Sequence, residues 1–406
     1  MSDTTANLTS LSNLFKYKYD KKAYAVFNTA TPLLAKIKRE NGFVGKSMVL
    51  DAVTSFTGSV GAGSLPETST FDQQNPTLTR KKLYGVMALD REALITSKGN
   101  EAAFESITKR QTRKLIESFT RNTARAMFAT ANGRLATGDG STQVSGAGTS
   151  GSPYVLTCSA TGWVDSHIEK YDKVNIGSET TILEISAVNY TTRAVSLVGT
   201  SATLAAATGS SATAAIMYMQ GSKDADLESI LRVCKATSST LYGVSVGNKW
   251  QAAQVDAASA GISVDLVNQL VSNVEFQSGE SPDLIVTSYK QLRKIQNLLG
   301  DKLRYCTVSP RDQIFKKAGV SFSAVEWNTQ RGPVQLVADR MCPDDHLFAL
   351  NTDEIVLHQA ESPKWFDEDG TVLLRGSTSD TYSARYGCYA ELFVHPNAQG
   401  VLYGLA

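Results

Sequence analysis

Two hydrophobic periods alternate along this chain, and the places where one gives way to the other divide it into parts. Between Gly45 and Val60 the residues are rich in Val, Ser, Thr and Phe, as in a strand. Gly58, Gly61, Gly63, Pro66 and Pro76 then interrupt regular structure, and Leu78 to Leu89 resumes as a second strand. The pattern predicts a long hairpin with a flexible tip. Its arms are too long and its tip too polar to pack wholly on their own domain. Long loops of this kind are usually functional, so the hairpin should reach another molecule.

From Asn100 to Asn132 the period becomes helical. Ser97 or Asn100 is the candidate N-cap, Glu101 and Glu105 occupy the first turns, Arg121 and Arg125 come late, and Gly133 is the stop. At ~3.6 residues per turn this is about eight to nine turns. Projected at ~100° per residue, Phe104, Leu115, Phe119 and Ala126 form a core face. Arg110, Lys114, Arg121 and Arg125 form a basic stripe within a ~60° sector beside it.

Leu135 to Ser152 reads as a Gly/Ser/Thr linker. After it, Tyr154 to Gln220 reads as a separate small β unit with strands at Val155–Cys158, Lys173–Ile176, Thr181–Val188 and Ala194–Val198. Short, evenly spaced strands suggest a small barrel or sandwich inserted into a host domain, and the Ala-rich stretch from Ser201 to Ala215 returns the chain. Beyond Gly221, helices near Leu227–Val233, Val264–Val274 and Lys290–Leu299 mix with strands at Asp283–Val286, Val334–Val337, Leu347–Leu350 and Ile355–His358. Irregular alternation of this kind is α+β. Two more strands fall within Arg385–Tyr403, and no internal repeat is present.

Ahead of the hairpin, residues 1 to about 42 read as an extended arm with one short helix after Pro32. Lys16, Lys18, Lys21, Lys22, Lys36, Lys38 and Arg39 make it basic. Those charges form either a solvated face or a contact with nucleic acid or a neighbouring subunit.

Composition narrows the function. The chain has 406 residues, enough for two or three domains of ~150. A net charge of +1 lacks the general positive field of a dedicated nucleic-acid binder. Charged residues make up only 19%, below the usual ~25%, which suits a subunit with many contacts. The five cysteines are scattered with no C-x-x-C, arguing for free thiols in a reducing cytoplasm. The polar start Met1–Ser10 has no secretory pattern, and no run approaches the ~18 apolar residues of a membrane span.

Chemistry finds little to rest on. Gly146, Gly148 and Gly151 match G-x-G-x-x-G, but a dinucleotide fingerprint follows a strand and opens a helix, whereas this one leads into a strand. His167, His346, His358 and His395 are not spaced as metal ligands. The cluster Asp367, Glu368 and Asp369 is better explained as a hairpin turn at Asp369-Gly370, between Phe366 and Leu373, than as an acid/base pair. Neither a catalytic residue, a cofactor site nor a metal site is expected.

The order of parts carries a resemblance: basic arm, long hairpin, long helix ending in Asn132-Gly133-Arg134-Leu135, α+β domain, and acidic hairpin near the C-terminus. More specific is the closing series Phe348-Ala349-Leu350-Asn351-Thr352-Asp353-Glu354-Ile355, Trp365-Phe366-Asp367-Glu368-Asp369-Gly370, Asp380-Thr381-Tyr382, Tyr389-Ala390-Glu391-Leu392 and Pro396-Asn397-Ala398-Gln399-Gly400-Val401. The chain resembles tailed-bacteriophage major capsid proteins with the Hong Kong 97-type fold. The β unit, with Tyr171-Asp172-Lys173-Val174, Ile185-Ser186-Ala187-Val188 and Val195-Ser196-Leu197, is similar to the insertion found in one branch of that family.

The resemblance implies an N-terminal arm over residues 1–43, an extended loop over 44–92, and a peripheral domain over 93–150 with a spine helix over 100–132. It further implies an inserted β domain over 151–221, an axial domain over 222–345, and peripheral strands and loop over 346–406 that return to the axial domain. Copies of the chain are expected to form hexamers and pentamers, closing an icosahedral shell in a host bacterial cytoplasm. Further partners are a portal, packaged double-stranded DNA bound without sequence preference, and room for a decoration protein.

Expected contacts between subunits join Arg80, Lys81 and Lys82 of the hairpin base, or the helix stripe, to Glu361 and Asp367, Glu368 and Asp369 of a neighbour. The stripe Arg110, Lys114, Arg121 and Arg125 is expected to face either packaged DNA or a neighbouring subunit. Some relatives crosslink a loop lysine to an asparagine, but the matching step here is Asp380-Thr381-Tyr382, without the acceptor amide, so no crosslink is expected. No long coiled-coil-like region precedes the arm, which points to a separate scaffolding protein. The alternatives are an encapsulin-type compartment of the same fold and, in a different class, an α+β enzyme with a β accessory domain.

Overall fold

A computed structural model describes residues 31–56, 71–91, 101–130, 133–140, 143–160, 162–210, 215–237, 240–247, 249–299, 305–307, 323–329, 331–366, 374–375 and 380–406. Those residues fold into three large sheets braced by one long helix.

The first sheet has seven strands in the spatial order Ala253–Asp256, Gly400–Tyr403, Leu347–Leu350, Leu284–Thr287, Gly332–Ala338, Ser323–Thr329 and Tyr305–Thr307. It is mixed: the first two strands are parallel, as are Leu284–Thr287 and Gly332–Ala338, and the other pairs are antiparallel. Its central strands are buried on both faces, as sheets covered on both sides require. Phe348 and Leu350 point into one core, and Leu347 and Ala349 into the other.

The helix Val264–Ser278 covers the second of these cores. Ser263 caps it by accepting a hydrogen bond from the Leu266 N–H, and Gly279 ends it in the left-handed region at φ 78°. Its buried residues Val267, Leu270, Val271 and Val274 follow the i, i+3, i+4, i+7 spacing of one face. Gly400 lets this helix approach the sheet, since a Cβ there would lie 2.5 Å from Val274 Cγ2 and 2.9 Å from Leu270 Cδ1.

A second sheet, of six strands, is organised by the fourteen-residue strand Thr381–Val394. Along ten residue pairs, Thr381↔Asp90 to Ala390↔Lys81, it runs antiparallel to Lys81–Asp90. Toward its other end it pairs with Ile355–Gln359, on which Lys38–Asn41 lies parallel. The two flanks of the acidic cluster, Lys364–Trp365 and Leu374–Arg375, both run antiparallel to the same long strand. They therefore run in one direction and do not pair with each other as arms of a simple hairpin would. The long strand offers enough free edge to hold both.

The hairpin of the sequence is present in its described part. Ser47–Val49 pairs with Thr77–Thr79, and Ala52–Phe56 with Phe71–Gln74, both antiparallel. Its expected flexible tip, within 57–70, lies outside the described residues.

The third sheet has six strands in the order Arg134–Thr137, Ile216–Met219, Lys173–Ile176, Leu183–Asn189, Ala194–Val198 and Tyr154–Thr157. Its own core includes Leu156, Ile176, Leu183, Ile185, Leu197 and Met217. Two elements differ from the sequence reading. Arg134–Thr137, inside the expected linker, is a strand because Leu135 and Ala136 fill this core and the segment pairs with Ile216–Met219. Within the Ala-rich return, Ala202–Ala206 is a short helix capped by Ser201 and anchored by buried Leu204.

The long helix is Glu101–Phe128, slightly shorter than expected. Leu115 lies over Gly85, where a Cβ would come within 2.9 Å of Leu115 Cδ1. Phe119 meets Tyr386 edge-on at 5.2 Å, and Phe128 meets Phe348 at 5.8 Å between ring centroids. One helix thus ties the second sheet to the first.

Candidate assembly surfaces

At the hairpin base, the Thr77 N–H donates to the Tyr242 carbonyl at 2.8 Å, and Arg80 lies over the Tyr389 ring at 5.0 Å. Lys81 Nζ donates to the Asp224 carbonyl at 3.1 Å, so this lysine is used inside the chain. Lys82 is exposed. Of the acidic residues expected to meet them, Glu361 is exposed and pairs with Lys364, while Asp367, Glu368 and Asp369 lie outside the described residues.

Arg80 and Glu361 of one chain line a common groove of about 410 Å³, whose floor includes Phe43, Phe366 and Tyr389. Val44 of the groove is 86% exposed, and further along the hairpin Val49 is 61% and Val86 63% exposed, so apolar side chains are left in the open along it.

The basic stripe on the long helix divides. Lys114 is exposed, and the side chain of Arg110 lies outside the described residues. Arg121 and Arg125 are turned inward, which corrects the expectation that they face DNA or a neighbour. Arg121 pairs with Glu169 and, at 2.8 Å, with Asp172, both on the loop before Lys173–Ile176. Arg340 reaches the same Glu169 at 3.2 Å. Arg125 is 4% exposed and pairs with Asp226 at 3.5 Å. The small β unit packs against this side of the helix and its carboxylates claim Arg121, while Asp226, on the segment that follows the unit, claims Arg125.

The same junction holds His167, whose Nε2–H donates to the Met341 carbonyl at 3.0 Å, and Ser166, whose hydroxyl donates to the Arg340 carbonyl at 2.7 Å. Burial, aided by the charge of Arg125, pushes His167 down to about 3, so it is neutral at any ordinary pH.

The arm residues are likewise used within the chain. Lys36 pairs with Asp283 at 2.7 Å and Lys38 with Asp353 at 2.8 Å. Of the expected alternatives, a solvated face or contact with nucleic acid or a neighbouring subunit, Lys36 takes none but is largely buried in its pair, while Lys38 pairs on a solvated surface.

Two buried acids escaped the sequence reading. Glu391 accepts from the backbone N–H of Glu228 at 2.8 Å and of Leu392 at 3.1 Å. Burial nevertheless pushes Glu391 up to about 8, and the neighbouring Glu228 is also raised, chiefly by burial. Tyr242 closes the cluster by donating to the Leu392 carbonyl at 3.0 Å and accepting from the Val394 N–H at 3.1 Å. A signal was available: Glu391 interrupts the apolar run Tyr389-Ala390-Glu391-Leu392-Phe393-Val394.

Cys158, Cys234, Cys342 and Cys388 are free and buried, and burial raises each thiol, that of Cys158 to about 12. The glycines of the G-x-G-x-x-G run serve a turn of the β unit, where the Gly148 carbonyl accepts from the Gly199 N–H at 2.9 Å. Among the described residues no group of three or more His, Cys, Asp or Glu is arranged to hold a metal, and no helix is long and apolar enough to cross a membrane.

Among the described residues, Lys36, Lys38, Arg121 and Arg125 hold the chain's own parts together, and an anchored hairpin is left projecting, as in a building block. The sequence profile of the SU10 major capsid protein family matches residues 3–371. The chain belongs to that family. It is a major capsid protein, a structural subunit whose copies associate into the shell of a phage particle.

Its fold is similar to the capsid asymmetric unit of Cyanophage A-1(L), at 11% identity and TM-score 0.53, over 97% of this chain and 98% of that one. The capsid of a native GTA particle, at 9% identity, gives TM-score 0.50 over 98% of this chain and 99% of that one. Among curated proteins nothing matches. The family favours a phage shell over the enzyme-loading compartment and gives the chain a structural role.

Proposed function

We propose that this major capsid protein forms hexamers and pentamers that close an icosahedral shell around double-stranded DNA, with a division of labour along the chain. Residues 1–43 act as an arm and 44–92 as an extended loop laid over an adjacent subunit. Residues 93–133 with the strands of 355–394 form the peripheral domain, the inserted β domain begins at Arg134 and not at 151 and runs to 221, and 222–345 form the axial domain, to which the strands Leu347–Leu350 and Gly400–Tyr403 return.

The observation that carries this reading is the anchoring of the hairpin. The ten-pair ladder between Lys81–Asp90 and Thr381–Val394 fixes its base to the body, while beyond that base two short ladders continue outward among the described residues. A projecting loop held firmly at its root can make similar contacts in slightly different surroundings, as a closed shell of one chain requires. The apolar side chains left open along it would be covered by the neighbour. Lys82 of the base meets Glu361, Asp367, Glu368 or Asp369 of that neighbour, a pair that adds register more than affinity.

A separate scaffolding protein and a portal guide assembly in the host bacterial cytoplasm, and the β domain offers the surface for a decoration protein. Lys114, with Arg110, is the part of the helix stripe left to face packaged DNA. The near-neutral net charge of +1 keeps that contact weak and salt-sensitive.

The test is replacement of residues 57–70 by a short Gly-Ser turn, co-expressed with the scaffolding protein. Folded subunits that fail to close shells are expected. Closed shells at wild-type yield, seen by electron microscopy, would show that the loop does not join neighbours. Lys82→Glu probes the charge pairing separately, since Lys81 is committed to Asp224 and its reversal would damage the subunit itself.

A further inference from the structure

Away from the assembly surfaces, a half-open cavity of about 410 Å³ lies where the long helix, the small β unit, the helix Ile230–Lys235 and the loop around Pro343–His346 meet. Phe128, Trp163, Leu231 and Pro343 give it apolar walls, and Arg134, Arg232 and Lys235 bring positive charge to it. That volume lies at the lower end of the ~300–1,000 Å³ of small-molecule sites, and apolar walls with a few convergent polar groups are their usual chemistry.

The charges do not cancel. Arg232 is neutralised by Glu228. Arg134 donates to the Thr130 hydroxyl at 3.2 Å, and Lys235 lies over the Tyr403 ring at 4.6 Å. Among the described residues neither meets a carboxylate at ion-pair distance. The single carboxylate lining the cavity, Asp345, is taken by His346 Nδ1 at 2.6 Å. Burial pushes the Asp345 carboxyl up, but the His346 contact outweighs it and holds the group below its ordinary value, so it remains an anion. With imidazoles left out, two cations face one anion, an excess of one positive charge. His346 is 5% exposed, and its Nε2 has no hydrogen-bonding partner among the described residues.

We propose that this cavity binds a small organic monocarboxylate with a flat apolar body, its carboxylate held by Arg134 and Lys235 and its body between Trp163 and Phe128. One negative charge matches the excess, which favours a monocarboxylate over a dianionic phosphate. An occupant there touches the long helix, the β unit and the seven-stranded body at once, so it stiffens the junction between them. This inference is independent of how subunits meet one another.

The experiment is calorimetric titration of the soluble full-length chain with benzoate, with benzyl alcohol as the uncharged comparator and phenyl phosphate as the dianionic one. Thermal unfolding and the change in tryptophan emission that is lost in Trp163→Phe serve as second readouts. Benzoate should bind saturably and raise the unfolding temperature. Benzyl alcohol and phenyl phosphate should each bind at least about tenfold more weakly.

Arg134→Gln and Lys235→Gln should each weaken benzoate by about tenfold or more, while Lys290→Gln, at an exposed lysine away from the cavity, leaves it unchanged. If one cavity variant fails to fold, the other gives the same comparison. Failure of benzoate to saturate, equal binding of benzyl alcohol, tighter binding of phenyl phosphate, or undiminished binding in the folded cavity variant would each overturn the proposal.

Discussion

Replacing Arg121 with Met should loosen the small β unit from the long helix without unfolding that unit. The arginine side chain is 15% exposed, and its partners Glu169 and Asp172 are 12% and 11% exposed, so all three are largely removed from water. Breaking a buried pair by removing one member costs about 3–5 kcal/mol, because the other charge is left uncompensated. Here Arg340 still reaches Glu169 at 3.2 Å, and some exposure remains, so about 2–3 kcal/mol is the expected loss.

The control is Arg113→Met. Arg113 is 70% exposed and pairs with Glu117 four residues along the same helix, an interaction worth about 0.3–0.5 kcal/mol. Hydrogen exchange reads the difference locally. Residues 165–172 should lose protection in the Arg121 variant, while the strands Lys173–Ile176 and Leu183–Asn189 keep theirs, because they have a core of their own. A double-mutant cycle with Asp172→Asn should return a coupling energy of about 1–3 kcal/mol. If Arg121→Met costs no more than Arg113→Met, or exchange at 165–172 is unchanged, the junction is not held by these charges.

Gly400→Val should destabilise the chain by about 1–3 kcal/mol or more in denaturant unfolding, because the new Cβ falls within 2.5 Å of Val274 Cγ2 and must push the helix off the sheet. The buried acid Glu391 makes stability depend on pH. Its folded value of about 8 lies above the ordinary 4.5, so between these pH values the folded chain binds the extra proton. Its contribution is therefore lost as pH rises from about 4.5 to 8, with a slope of up to about 1.4 kcal/mol per pH unit. Glu391→Gln should flatten that slope in urea midpoints measured across the range, and stabilise the chain most at the alkaline end.

Much of the body was legible because local pattern and burial agree there. Leu347–Leu350 and Ala194–Val198 form strands over the expected residues, and the apolar spacing of Val264 onward is the face that packs on the sheet. Arg134–Thr137 was hidden because a four-residue strand between Gly-rich stretches has too little period to show, and its identity comes from its partner Ile216–Met219, far away in sequence. The long strand Thr381–Val394 owes its length to pairing with Lys81–Asp90 across nearly three hundred positions, which no local window contains.

The candidate contact residues were the least legible. A helical projection places Arg121 and Arg125 beside Lys114, but it cannot say that Glu169, Asp172 and Asp226 come to meet the first two. Lys81 and Lys82 are neighbours in sequence and alternate across the strand, so one is claimed by Asp224 while the other is left for solvent or a partner.

Electron cryo-microscopy of the chain assembled with its scaffolding protein tests the central claim most directly. Closed icosahedral shells, in which the part of each hairpin beyond its base at Lys81–Asp90 crosses onto the neighbouring subunit, are the expected result. Monodisperse monomers or dimers under the same conditions, or shells in which that hairpin folds back on its own subunit, would contradict it.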